Sequence, residues 1–351
     1  MEEQAKNSAL SVTESRLWTV SVSPHIKSGE SVERIMWTVV GCLLPPLILS
    51  VFIFGFQTLI ITLVSVGACV ATEAVSQKVF HRPITIRDGS AVITGLLLAY
   101  IIPPGVPYWL PILGAVMALY IAKHLLGGLG FNIFNPALIG RAFLVATFPV
   151  AMTSAWLPPI RDASVFKYMG PGLDAISTAT PLYVLKHYGI QAVIEKFGAM
   201  STIYGDFFIG WRPGCIGETS ALLILLGGLY LLYKRYITWH TPASIIVTIG
   251  VLTWVFGGEN LFTGNPLLAV LSGGVMLGAF FMATDYVTSP SQPIGKLIFG
   301  TCIGALTVLI RLKGGYPEGI CYAILLMNPV APALEGWFGP RRFAPEKGAV
   351  K

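Results

Sequence analysis

Long apolar runs, separated by short polar or Gly/Pro-rich stretches, set the pattern of this chain. Ten runs stand out, near residues 35–55, 57–77, 89–102, 107–125, 136–151, 219–233, 242–256, 261–283, 294–311 and 318–334. A helix needs about 20 mostly apolar residues to cross a bilayer. The pattern therefore predicts an all-α integral membrane protein with about ten transmembrane helices. Several runs are short: the third ends at Pro103-Pro104, and the fifth starts at Pro136 and carries Arg141. Broken backbone is tolerated at membrane depth only where protein or water satisfies it, so such runs predict where a ligand or ion can sit.

Five runs precede the long segment 152–218 and five follow it. Asn135-Pro136-Ala137-Leu138 is echoed by Asn328-Pro329-Val330-Ala331-Pro332-Ala333-Leu334, each after a Gly-rich turn. Two repeats of odd span number must be inverted relative to each other, an arrangement common in transporters. Asn followed by Pro is equally a good helix start, and both readings stand. The expected division is a cytoplasmic N-terminal segment 1–34, a five-span repeat 35–151, an outer-side loop 152–218, a second inverted repeat 219–334 and a cytoplasmic tail 335–351. Gly274-x-x-x-Gly278 and Gly300-x-x-x-Gly304 predict close helix contacts.

Composition removes the soluble alternative. Mean hydropathy is +0.72. Charged residues make up 11% of the 351 residues, against about 25% in soluble domains. The net charge of +6 gathers at the ends of apolar runs, which points to topology and lipid headgroups and away from nucleic acid. Lys27, Arg34, Lys78, Arg82, Arg87, Lys123, Lys234, Arg235, Arg341, Arg342, Lys347 and Lys351 fit one cytoplasmic side. Both termini are then inside and the 152–218 loop outside. Arg311 and Lys313 break this rule. The mostly polar stretch Met1–Ser31 lacks the apolar core of a signal peptide.

The candidate chemistry is sparse. The five cysteines form no Cys-x-x-Cys pair, and only Cys215 lies in a polar segment, where an aqueous thiol reagent should reach it. No His/Cys/carboxylate spacing marks a metal site, and no catalytic acid–base set or phosphate loop is present. Lys123 and His124 read as interfacial anchors, and Glu73, Asp88, Asn265 and Asp285 as span-end groups. Asn132 and Asn135 flank Phe134 after the Gly127–Gly130 turn. Their amides suit either a flat heteroaromatic ring or the broken backbone of their own loop. The remaining polar island is Leu-Asp-Ala-Ile-Ser-Thr-Ala-Thr-Pro-Leu, Leu173–Leu182. By local chemistry it is a helix start, with Pro181 in the first helical position.

Asp174-x-x-Ser177-x-Ala179-Thr180 resembles the motif at which a flavin transferase joins FMN to threonine by a phosphoester. Thr178 departs from the commoner glycine at its position. With Gly130–Pro136, the Arg87-Asp88-Gly-Ser segment and the ten-run layout, the chain from about Ser31 onward resembles a membrane-flavoprotein family. That family is shared by Rnf complexes, as their D component, and by sodium-pumping NADH:quinone reductases, as their B component. The short N-terminal extension favours the Rnf branch. The resemblance implies an electron-transferring subunit of an ion-translocating ferredoxin:NAD+ oxidoreductase in the bacterial inner membrane. It implies covalent FMN on Thr180 and a second, non-covalent flavin, riboflavin, near Asn132 and Asn135. The implied partners are a second flavinylated subunit and iron–sulfur membrane subunits, with no acid–base catalytic residue in this chain. The competing readings are the quinone-reductase component and a non-redox inverted-repeat transporter, for which the flavin motif would have no use.

Overall fold

The computed structural model describes residues 30–160, 179–258, 260–316 and 318–338. Among these the chain is all helical, without strands. Four helices are long and apolar enough to cross a membrane: Val32–Phe54, Phe56–Val79, Pro293–Lys313 and Ile320–Phe338. Shorter apolar helices span Ser90–Tyr100, Trp109–His124, Pro136–Thr147, Ala221–Tyr233 and His240–Phe256. The run predicted at 261–283 is broken into Pro266–Leu271 and a piece from Val275 to Met282.

Local chemistry explains where these helices begin. Ser31 Oγ accepts from Arg34 N at 3.1 Å and caps the first. Asn135, Thr180 and Asn265 each cap a helix whose first residue is proline, where a missing N–H costs nothing. Asp88 of the Arg87-Asp88-Gly-Ser segment accepts from Ser90 N at 2.9 Å and Ser90 Oγ at 2.8 Å, starting Ser90–Tyr100.

The break at Ser272 explains a charge that topology does not. Gly273 and Gly274 both have positive φ, 66° and 68°, a conformation cheap only for glycine. The turn frees carbonyls at the end of Pro266–Leu271. Arg311 donates to Ala269 O at 2.6 Å and Ser272 O at 2.9 Å, and Arg212 donates to Leu271 O at 2.8 Å. A cation at a helix C-terminus is favourable, and it resatisfies the broken backbone. Arg311 is thus an internal cap, which is why it disobeys the charge rule.

The Gly300 and Gly304 stripe holds as a close contact. A Cβ on Gly300 would collide with Ser244 Oγ, and one on Gly304 would meet Thr248 Cβ at 2.7 Å. Helices His240–Phe256 and Pro293–Lys313 therefore pack almost backbone to backbone. Helices from before and after segment 152–218 also touch: Val32–Phe54 packs on Ala221–Tyr233, and Pro136–Thr147 on Ile320–Met327.

Candidate cofactor sites

Thr180 holds two positions at once. Its Oγ accepts from Tyr183 N at 3.3 Å as the cap of Pro181–Phe197. It also borders a cavity of about 460 Å³ shared with Arg141, Trp156, Tyr183, Tyr316, Glu318 and Tyr322. That volume lies within the roughly 300–1,000 Å³ usual for cofactor sites. The Tyr316 and Tyr322 rings stack, with centroids 5.6 Å apart. Arg141 pairs with Glu318 across the two halves. Lys186 donates to Gly314 O, and to Tyr316 O at 3.1 Å, tying the capped helix to the Tyr316 wall. Burial lowers the Lys186 ammonium pKa below its ordinary value. Ala179 also lines this cavity. Asp174 and Ser177 lie outside the described residues.

Asn132 and Asn135 border a second cavity, of about 120 Å³, with Ser90, Thr94, Lys123 and Asp285. Phe280 and Phe281 give it apolar walls. The asparagines also serve their own backbone. Asn135 Oδ1 accepts from Ala137 N at 3.1 Å, and its Nδ2 donates to Met282 O at 3.3 Å, where a π-helical turn ends. Asn132 Nδ2 donates to Phe134 O at 3.2 Å. The Asn328 side chain, oriented by its neighbours, accepts from Asn135 N and donates to Ile324 O, both at 3.0 Å. The two Asn-Pro segments therefore meet.

Four expectations need correction. Lys123 is not an interfacial anchor, nor is Glu73 an interfacial group. They are 2% and 1% exposed, and Lys123 Nζ lies 2.8 and 2.9 Å from the two Glu73 carboxylate oxygens. Ser90 Oγ accepts a further bond from Lys123 at 2.8 Å. His124 is not an interfacial anchor either: it is buried beside them, its Nε2 3.9 Å from Glu73 Oε1. A buried charge needs a partner, and the partner lies 50 residues away, on another helix. Cys215, expected within reach of water, is 1% exposed. Its Sγ faces Ile101 O at 3.5 Å, because the polar segment around it folds back between helices.

That fold-back also gathers Cys215, Glu218 and Glu318, whose ligand atoms lie within 4.8 Å of one another. Arg141 pairs with the Glu318 carboxylate, and Arg212 donates to the Glu218 backbone carbonyl at 3.1 Å, so one guanidinium group is already committed to this acidic cluster and a second lies beside it. The sequence held one signal for these groups. Arginine and glutamate in or beside apolar runs are costly unless paired inside the protein, and Arg311 had already defied the topology rule.

Residues 19–344 match the model of the NQR2, RnfD, RnfE family. The chain is 49% identical over 328 residues to the D subunit of the proton-translocating ferredoxin:NAD(+) oxidoreductase complex of Clostridium ljungdahlii, covering 93% of this chain and 96% of the relative. It is 43% identical over 320 residues to the D subunit of the Na(+)-translocating ferredoxin:NAD(+) oxidoreductase complex of Acetobacterium woodii, covering 90% and 92%. The D subunit of the ion-translocating oxidoreductase complex of Escherichia fergusonii is 36% identical over 363 residues, covering 95% and 100%.

Proposed function

Because the chain belongs to the NQR2, RnfD, RnfE family, we propose that it is the membrane component through which an ion-translocating ferredoxin:NAD+ oxidoreductase relays electrons, coupled to H+ or Na+ transport. Family and helices make it a multi-pass bacterial membrane protein. The observation that carries the flavin reading is Thr180: the threonine of the flavin motif borders a 460 Å³ cavity walled by aromatic rings. FMN esterified to Thr180 Oγ has space there for its ring system. The phosphoester would stand at the N-terminus of Pro181–Phe197, whose backbone dipole favours an anion. Trp156, Tyr183, Tyr316 and Tyr322 supply flat apolar faces. Bound flavin carries the electrons, while the chain sets its position and surroundings.

The second, non-covalent flavin belongs to the cavity of Asn132 and Asn135. Its two phenylalanines and its amides suit a ring with apolar faces and a polar edge. At about 120 Å³ the cavity is smaller than a whole flavin requires, so its side chains must part to admit one. Asn135 is committed to capping and to Met282 O, which leaves Asn132 the freer of the two amides. Asn132→Leu is expected to lower the riboflavin extracted from the purified complex and to leave the covalent flavin unchanged. Equal riboflavin in variant and parent would restrict Asn132 to its own loop.

The finer architecture follows the same reading. Ten spans in two inverted five-helix repeats are supported by the meeting of Asn135 with Asn328 and by the packing of matching helices across the halves. With the termini cytoplasmic, the Thr180 segment faces outward. A second flavinylated subunit, iron–sulfur membrane subunits and a maturing flavin transferase complete the proposed partners. The deciding experiment is ferredoxin-dependent NAD+ reduction by the assembled complex, with and without sodium. Dependence on this chain is expected; equal activity in a complex that lacks it would overturn the proposal.

A further inference from the structure

Glu218 is a buried carboxyl group without a cation. It is 8% exposed. Among the described residues, no lysine, arginine or histidine nitrogen lies within 4.0 Å of its carboxyl oxygens. Its near neighbours are the Glu318 carboxylate and the Cys215 thiol, with ligand atoms within 4.8 Å of one another. The three arginines around it are committed elsewhere. Arg141 pairs with Glu318, Arg212 Nη2 bonds the Glu218 and Leu271 carbonyls, and Arg311 bonds the Ala269 and Ser272 carbonyls. Their charge reaches the Glu218 carboxyl only from beyond 4.0 Å, without a hydrogen bond. An ionised carboxylate buried without a partner is costly, and a like charge beside it adds to the cost, so the group keeps its proton instead. The surroundings are also tight. A Cβ on Gly214 would lie 2.9 Å from Glu218 Oε2, and one on Gly274 would lie 3.4 Å from Oε1, which leaves little room for a hydrated cation.

Glu218 borders a cavity of about 10 Å³ together with Thr180, Arg212, Ser272, Gly273 and Glu318. That is about the space of one water. Two of the bordering side chains are unsatisfied. Arg212 is 5% and Ser272 is 2% exposed, yet Arg212 Nε and Ser272 Oγ make no hydrogen bond. A guanidinium Nε can only donate, so its missing partner is an oxygen and not a metal cation. Arg212 is fixed in place by its two carbonyls and by the Phe207 ring, whose centroid lies 4.0 Å from the guanidinium. A single water here would accept from Arg212 Nε, bond Ser272 Oγ and still have a proton to share with a carboxyl group. Outward the path is open, because Thr180 and Glu318 border both this cavity and the one of about 460 Å³. Inward it closes, because the next small cavity beside Glu218 is walled by Ile101, Leu138, Leu277 and Met282.

We propose that Glu218 is a proton-loading site, filled and emptied through one water that Arg212 and Ser272 hold between it, Glu318 and the larger cavity. A proton leaves the Glu218 carboxyl for this water as the water gives one of its own to Glu318 or to the larger cavity. Arg212 and Ser272 are positioning residues. That the stored proton serves ion transport rests on the function proposed above; its place on Glu218 does not.

Infrared difference spectra of the assembled complex test this, recorded at neutral pH as H2O buffer is replaced by D2O. The natural complex is expected to show a protonated-carboxyl C=O band that shifts in D2O and is missing in Glu218→Gln. Glu218→Asp, which keeps the acid, should move this band without removing it. Ser272→Ala should slow the shift about fivefold, the worth of one ordinary hydrogen bond. A protonated-carboxyl spectrum untouched by both Glu218 variants, or a carboxylate band lost in its place, with or without sodium, overturns the proton on Glu218. An unchanged exchange rate in Ser272→Ala overturns the water route. Ferredoxin-dependent NAD+ reduction on the same samples keeps the readings apart: its absence from the natural complex overturns the function proposed above and with it the service to ion transport, while the infrared band still decides the site.

Discussion

Thr180→Val is expected to remove all flavin fluorescence from this chain on a denaturing gel while the complex still assembles. Valine keeps the shape of threonine and lacks the oxygen that would carry the phosphoester. The structural cost is the lost cap, the 3.3 Å bond from Tyr183 N. Such caps contribute about 0.5–2 kcal/mol, and Pro181 still sets the first helical turn. Loss of the flavin and loss of the fold are therefore separable outcomes. Peptide mapping makes the test sharper, because Thr178 is also a hydroxyl within the motif. FMN mass on the Thr178 position, or a fluorescent Thr180→Val band, would move the attachment site and with it the argument from the 460 Å³ cavity.

The second large effect is expected at Lys123. Lys123→Met leaves Glu73 buried at 1% exposure without the ammonium that lies 2.8 Å from it. Breaking a buried ion pair on one side typically costs about 3–5 kcal/mol, and Gln77 Nε2 at 3.1 Å is a weak replacement. The variant should accumulate poorly in membranes. Removing both charges, as Glu73→Gln with Lys123→Met, should recover much of the yield, since a neutral pair has no charge to strand. The measurement is the amount of detergent-extracted, assembled protein. Equal yields of the single and double variants would sink the account. The pair joins the second and fourth apolar helices beside the Asn132 cavity, so its loss also bears on the proposed second flavin.

What was legible in the sequence followed from local rules. Apolar runs gave helices because backbone groups in lipid must bond within their own segment. Starts such as Asn135-Pro136 and Thr180-Pro181 were readable because capping needs only one side chain and the next few N–H groups. The glycine stripe at Gly300 and Gly304 was readable because helical spacing puts both on one face. The residues of the proposed flavin motif were readable in the same local sense, as residues in a row, although Asp174 and Ser177 lie outside the described residues.

Pairings over long separation were not legible. Lys123 read as an anchor because its position at the end of a run is where anchors sit, and nothing local names Glu73. Cys215 read as accessible because a polar segment looks exposed until the chain around it is folded back. Arg311 looked like a misplaced topology signal, and only the broken helix at Ser272 turns it into a cap. The sequence by itself determined the membrane class, helix starts such as Asn135-Pro136, the breaks at Pro103-Pro104 and before Pro136, and the family; the break at Ser272, inside the run expected at 261–283, it did not. Tertiary structure alone decided which breaks meet, which buried charges pair and that Thr180 borders a cavity walled by aromatic rings. The physical reason is the range of the forces. Capping and helical periodicity act within a few residues, whereas charge pairing and cavity shape depend on segments that only folding brings together.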